Sequence, residues 1–333
     1  SVGFNPQMFG QRNKLSQQLA QQQQHVDAAK ALEAQTLANL LLFQDALIAA
    51  MTPTAGADAG CAPIPRRIWS YWNGAVLDPV VQQCMDNWRL QCPDYRIDVL
   101  NADNLERFVA PGDLPPDFAR LAPPKQADWL RLYLVRHHGG FWLDASIVLT
   151  QSLDWLRDLQ QAQRSEFAGF FLRGFTHDER WPVVESWAFG APAHAPFVTA
   201  WQQEFHHALI ERGTGDDLAA LQAQPMGAAV LQGIADPEYL LIHVAAQQVL
   251  RRDNGYRLAL LCAEDTAYYY QHALYWKWYL LYPRLCLAPA QPVVAPLVKL
   301  RGGERRHFSA LLARHGGARR GSLWQQACTP GPV

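Results

Sequence analysis

The sequence predicts an α/β fold with an added N-terminal helical region. Short β-rich runs alternate with segments of helical periodicity from Ile64 onward. The stretch Lys125 to Thr150, KQADWLRLYLVRHHGGFWLDASIVLT, passes from an amphipathic helix through Gly139-Gly140 into a short apolar strand that ends on Asp144. An acid at a strand end sits where open α/β sheets bind ligands. Upstream, no Gly or Pro falls between Gly10 and Pro53, which marks residues 12–50 as helical.

In the N-terminal segment Leu15, Leu19, Val26, Leu32, Leu37, Leu40, Leu41, Leu47 and Ile48 recur at mostly helical spacings without a strict heptad. One long helix and a helical hairpin both fit. So do packing on the main domain and self-association into a homo-oligomer. Met51 to Pro63 has linker composition, so the domains read as residues 1–52 helical, 53–63 linker and 64–325 α/β. In the last, IPRRIWSYW is a β-rich run. Pro79 to Cys92 is a helix with Val80, Cys84, Trp88 and Cys92 on one face, and Pro93-Asp94 ends it. Tyr95 to Leu100 alternates as a strand, Asn101 to Val109 reads as a short capped helix, and a Pro-rich loop runs to Pro124. Further strands are expected at 167–171 and 185–189, and further helices at 196–212 and 237–252. Residues 299–320 carry seven Lys or Arg against one acid, a solvated face or an anion-facing end.

Composition narrows the function classes. Hydrophobic residues are 49% and charged residues 18%, enough apolar material for a large core. A net charge of -1 gives no general pull toward nucleic acid or anionic membrane. The six cysteines show neither C-x-x-C nor Cys/His spacing, against a zinc site or a disulfide-dense scaffold. No unbroken apolar run approaches the ~18 residues of a membrane span, and SVGFNPQMFGQRNKL lacks a signal-peptide core. The expected location is cytoplasmic, peripheral at the inner face of a membrane.

Asp128 and Arg131 lie three residues apart and so are neighbours on a helix. Trp129, Leu132 and Tyr133 flank them and make that helix apolar over most of its circumference, so it is buried, and a buried acid and base need partners. Asp144 and Ser146, two residues apart past a strand end, can both turn toward one hard cation, which takes carboxylate, phosphate and water oxygens. A metal there would neutralise a diphosphate leaving group.

Taken together, IPRRIWSYWNG, ADWLRLYLVRHHGGFWLDAS and ESWAFGAPAHAPF resemble the bacterial capsular-polysaccharide-synthesis glycosyltransferases. These are similar to the DXD-containing glycosyltransferase family 32 and, more distantly, to the glucosylating clostridial toxins. The resemblance covers roughly Pro63 to Leu323 and not the N-terminal helix. It implies a GT-A type, Rossmann-like nucleotide-sugar-binding fold, a UDP- or GDP-linked sugar donor, a Mn2+ or Mg2+ ion and retention at the anomeric carbon. It implies that Asp128 and Arg131 contact the nucleotide-sugar, that Asp144 is the first Asp of the DXD motif, and that Trp69 and Trp72 contact the nucleotide. Ser146 replaces the second Asp, as in much of the capsular branch. The remaining metal ligand is then expected from the C-terminal part, with His272 the candidate and His307 the reserve. Glu185 would orient an acceptor hydroxyl or stabilise oxocarbenium charge, and Lys299 would meet the diphosphate. Lys125, one turn before Asp128, reads equally as a surface charge.

The expected activity is metal-dependent transfer of a sugar to a glycan or lipid-linked glycan in surface polysaccharide synthesis. A toxin-like, protein-modifying glycosyltransferase and a non-catalytic scaffold with a degenerate transferase fold are the alternatives.

Overall fold

The Gln-rich segment forms one continuous helix, α1 (Pro6–Met51), in a computed structural model that describes residues 6–51 and 61–329. Residues 11–31 of α1 are exposed, including Leu15, Leu19 and Val26. Its distal half is held to the body. Leu40 and Leu47 are buried in the core, the Tyr269 hydroxyl donates to Thr36 O at 2.6 Å, and Arg284 pairs with Glu33 at 3.0 Å. α1 is also long and apolar enough to cross a membrane, its best 18-residue window reaching a mean hydropathy of 1.2. Counting unbroken apolar runs missed this because Gln, Asn and Asp interrupt them. Most of the expected 53–63 linker lies outside the described residues. Cys61 and Ala62, at its end, are bonded to the body by Gln161 and Gln160.

Among the described residues eight strands form two sheets. They are β1 (Arg67–Tyr71), β2 (Arg96–Leu100), β3 (Gly140–Leu143), β4 (Ile147–Leu149), β5 (Phe167–Phe171), β6 (Val184–Ala191), β7 (Leu258–Cys262) and β8 (Leu297–Lys299). The main sheet has the order β2-β1-β3-β6-β5-β7, with β2, β1 and β3 parallel, β6 antiparallel to both neighbours and β7 parallel to β5. β4 and β8 form a separate antiparallel pair. The chain leaves β1 for β2 on one side and returns to β3 on the other. The carboxyl ends of β1 and β3 therefore flank a topological switch point, where such sheets open a crevice.

The helices between these strands start and stop where their sequences dictate. α2 (Pro79–Gln91) is capped by Asp78, whose carboxylate accepts from Val80 N at 2.9 Å, with Pro79 at the first helical position. α3 (Pro123–His138) starts on Pro123-Pro124 and ends at Gly139. Gly139 (φ +66°) and Gly140 (φ +105°) cannot be replaced cheaply, because a Cβ on Gly140 would lie 2.8 Å from Arg67 O. This double glycine lets the chain reverse from α3 straight into the strand beside β1. The remaining helices are α4 (Asp154–Ala162), α5 (Pro196–His206), α6 (Thr214–Gln222), α7 (Gly227–Leu231), α8 (Leu241–Arg252), α9 (Tyr269–Ala273), α10 (Trp278–Tyr282), α11 (Gly302–His315) and α12 (Leu323–Cys328).

Alternation in β1 and β3 divides the core into two layers. Ile68, Phe141 and Leu143 face the layer that includes α2, α4 and α12. Trp69 and Trp142 face the layer of α3, α5 and α8.

Three local expectations are corrected. Asn101 to Val109 contains only a 3-10 turn at Leu105–Arg107, because the Asn101 and Asn104 side chains accept from Asp103 N and Asn101 N and stabilise turns instead of a cap. The helix expected from Pro237 starts at Leu241, after a turn in which Asp236 accepts from Tyr239 N. The helix expected over 196–212 widens at His207 into a π-helix.

Candidate active site

At the switch point four charged side chains from three elements meet. α3 contributes Asp128 and Arg131, the turn after β3 contributes Asp144, and β8 contributes Lys299. Arg131 bridges the two acids, with Nη2 at 3.2 Å from both Asp128 Oδ1 and Asp144 Oδ1. Its Nη1 donates to Ser186 O (2.9 Å) and Ser186 Oγ (2.7 Å), and its Nε to Ala127 O (3.3 Å). Three of these contacts are hydrogen bonds, and the two made by Nη2 are ion pairs. On the other side of Asp144, Lys299 Nζ lies 3.3 Å from Oδ2, and Trp142 Nε1 donates to Oδ1 at 3.0 Å.

The backbone fixes this arrangement. Asp144 N bonds to Trp187 O on β6, and Ser70 Oγ on β1 donates to Leu143 O at 2.6 Å, which ties the two switch-point strands together. A two-residue turn, Ala145-Ser146, then swings the chain into β4, whose ladder sets Ile147 opposite Lys299.

Next to this cluster Glu185 on β6 is paired with His243 on α8, Oε2 to Nε2 at 3.2 Å, with both side chains 7% exposed. His243 Nδ1 is buried without a partner. Tyr268 is buried within the field of Glu185 and Asp144, and burial first, then those charges, push its phenol well above its ordinary value. Tyr239 lies within the field of Asp128 and Asp144 and is largely exposed.

The two central carboxyls are driven apart. Burial raises Asp128, and Arg131, Lys125 and His243 only partly oppose it. Burial acts the same way on Asp144, but Arg131, Lys299 and the Trp142 hydrogen bond outweigh it and hold this carboxyl below its usual value. Asp144 is the acid kept ionised, and its side chain, 25% exposed, is the most open of the four.

The structure brings Asp128, Arg131, Asp144, Ser146, Lys299 and Glu185 into one region, but several expected roles change. Arg131 is buried and ion-paired to both acids, which it holds in place. Trp69 cannot meet a nucleotide: it is fully buried, its Nε1 donates to Gly139 O at 2.9 Å, and its ring packs against Arg67, Phe108 and His138. Trp72, at the end of β1, is half-buried with Arg305 over its ring. Lys125 donates to Tyr239 O at 2.8 Å. His272 is exposed on α9, and His307 stacks on Trp278 at 3.8 Å; neither is a partner of Asp144. His243, Ser186, Tyr239 and Tyr268 went unnoticed in the sequence because no local spacing links them to Asp144.

The donor set bears directly on the expected Mn2+ or Mg2+. Such an ion takes several oxygens at about 2.0–2.6 Å. Here Ser146 Oγ donates to Leu300 O (2.8 Å) and accepts from Lys299 Nζ (2.8 Å), so an ammonium stands between Ser146 and Asp144. Among the described residues no group of three or more His, Cys, Asp or Glu is placed to hold a metal. The residues present do not fit a divalent cation.

The O-glycosyltransferase PaGT of Phomopsis amygdali is 25% identical over 169 residues, which is 46% of this chain and 41% of PaGT, so the chain spans less than half of that relative's length. The solved PaToxG glycosyltransferase aligns with 66% of this chain and 88% of its own, at 14% identity and a TM-score of 0.33. A family model described as "Capsular polysaccharide synthesis protein" matches residues 12–210. That match takes in most of α1, which the motif resemblance had left out, and stops before Lys299. It spans more than half of the 333 residues, and the chain belongs to this capsular polysaccharide synthesis family.

Proposed function

We propose that the chain is a glycosyltransferase that moves a sugar from a UDP- or GDP-linked donor to a hydroxyl of a glycan in surface polysaccharide synthesis. The observation that carries this reading is the Asp128–Arg131–Asp144–Lys299 cluster at the switch-point crevice. It sets an ionised carboxylate and a fixed cation 3.3 Å apart at the carboxyl end of β3. Family membership and the oxygen acceptor in PaGT's own description support it.

In the reaction the bond between the anomeric carbon and the terminal phosphate oxygen breaks, and the acceptor oxygen bonds to that carbon. The acceptor proton passes to a phosphate oxygen, consistent with attack on the leaving-group face and retention. Positive charge grows on the sugar ring, where Asp144 and Glu185 stabilise it electrostatically. Negative charge grows on the diphosphate and needs a cation. Tyr239, exposed at the rim, offers an aromatic face for the base in place of Trp69. Exposed Arg306, Arg314, Arg319 and Arg320 support a place at an anionic membrane face on the cytoplasmic side.

A panel of nucleotide sugars, assayed for slow donor hydrolysis, tests the reading. One or a few donors turn over, and Asp144→Ala lowers that turnover by about 10²–10³-fold with an unchanged circular-dichroism spectrum. No turnover and no nucleotide binding across the panel would sink it, and full turnover by Asp144→Ala would remove Asp144 from the mechanism.

A further inference from the structure

Asp144 and Ser146 present their oxygens to one cation, as an Asp-x-Ser metal site would, but the cation is a lysine of this chain. Lys299 Nζ is 2.8 Å from Ser146 Oγ, 3.0 Å from Leu300 O and 3.3 Å from Asp144 Oδ2. We propose that Lys299 supplies the positive charge that a divalent metal would otherwise bring to the diphosphate, and that this site binds its nucleotide without a metal ion. The inference deepens the glycosyltransferase reading and rests on it.

Lys299 is built in. It is 8% exposed, its backbone is locked by the β4–β8 ladder, and the next residue, Leu300, donates its N–H to Ser146 O at 2.9 Å. An ammonium has three protons to give. Two make the shorter contacts, to Ser146 and Leu300. The third faces Asp144 across the longest contact, on the cluster's most open side. A phosphate oxygen can accept a hydrogen bond from that N–H while Asp144 keeps Arg131 and Trp142.

The same geometry explains the residue at position 146. The Ser146 hydroxyl gives its proton to Leu300 O and a lone pair to Lys299, so a neutral group holds the ammonium without cancelling its charge. A second carboxylate there would neutralise Lys299 and recreate a metal site. A divalent cation between Asp144 and Ser146 would sit against the ammonium, an unscreened like-charge contact.

The test titrates UDP and GDP into the full chain in excess EDTA and again in excess Mn2+. Electron paramagnetic resonance of Mn2+ mixed with the nucleotide-free protein provides a readout independent of turnover. The expected result is the same Kd in EDTA and Mn2+ within about twofold, and no Mn2+ site in the free protein. Lys299→Met weakens nucleotide binding about tenfold or more, some 1.4 kcal/mol, and Lys299→Arg retains most of it. The double variant Ser146→Asp, Lys299→Ala gains a Mn2+ site and Mn2+-dependent binding. If Lys299→Met does not fold, the wild-type comparison and Lys299→Arg decide the matter alone. Nucleotide binding by the wild type only with Mn2+, or unchanged binding by Lys299→Met, overturns the inference and leaves the transferase reading standing. No nucleotide binding under either condition overturns both.

Discussion

His243 illustrates how a single side chain can act through another. Its Nε2 is the neighbour of a Glu185 carboxylate that is almost fully buried, and its Nδ1 has no partner. Among the described residues His243 is the hydrogen-bond partner of the Glu185 side chain, so it sets where that carboxylate points. Removing it leaves a buried acid unpaired, which costs about 3 kcal/mol. His243→Ala is therefore expected to lower kcat about tenfold or more with little change in donor KM, because the proposed mechanism sets Glu185 against the reacting sugar and not the nucleotide. His243→Gln keeps a side-chain N–H donor and should restore most of kcat. Equal loss in both variants, or loss confined to KM, would rule out this positioning role. Arg131 acts in the same way on Asp128 and Asp144, since its Nη2 is ion-paired to both.

Among the elements, α1 divides into two stretches with different expected behaviour. Residues 11–31 are exposed along their whole length, whereas Leu40 and Leu47 sit in the core, where α1 packs on α4. Deleting residues 1–31 should change urea stability by less than about 1 kcal/mol. Leu40→Ala should cost about 2–4 kcal/mol through the cavity it leaves. A large loss on truncation, with none for Leu40→Ala, would reverse this division. Other elements differ in how far the sequence revealed them. β1, α2, α3 and β3 were readable because their periodicity, prolines and double glycine all agree. β4 was not, because IVL directly follows FWLDAS and reads as one run. Only its partner β8, about 150 positions later, makes it a separate strand. The site was legible to the same extent. Asp128, Arg131 and Asp144 share one local segment. The part played by Lys299, and the loss of Trp69 to the core, depend on pairings that no local spacing records.

For the whole molecule, the two carboxyls of the cluster couple folding to pH with opposite signs. A group whose folded pKa is depressed adds stability above its unfolded value, and that stability fades as pH falls through the folded value. Asp144 is such a group, with an ordinary value of 3.8. Asp144→Asn keeps the shape but leaves Lys299 and part of Arg131 uncompensated. It should cost about 1–3 kcal/mol at neutral pH, less than a fully buried pair because a quarter of the side chain is exposed. The gap to wild type should stay constant at neutral and mildly acidic pH and narrow as the pH drops below 3.8. Asp128 is raised, so its folded form holds a proton more tightly than the unfolded chain does. Its contribution is largest at low pH and falls as pH rises from 3.8 through the elevated value. Wild type should therefore lose stability relative to Asp128→Asn over that upper window, on the opposite side of 3.8 from the Asp144 effect. Urea midpoints for the three proteins across both windows measure the two slopes. Slopes of the same sign, or a gap for Asp144→Asn that widens in acid, would mean that Arg131 and Lys299 do not keep Asp144 ionised in the folded protein.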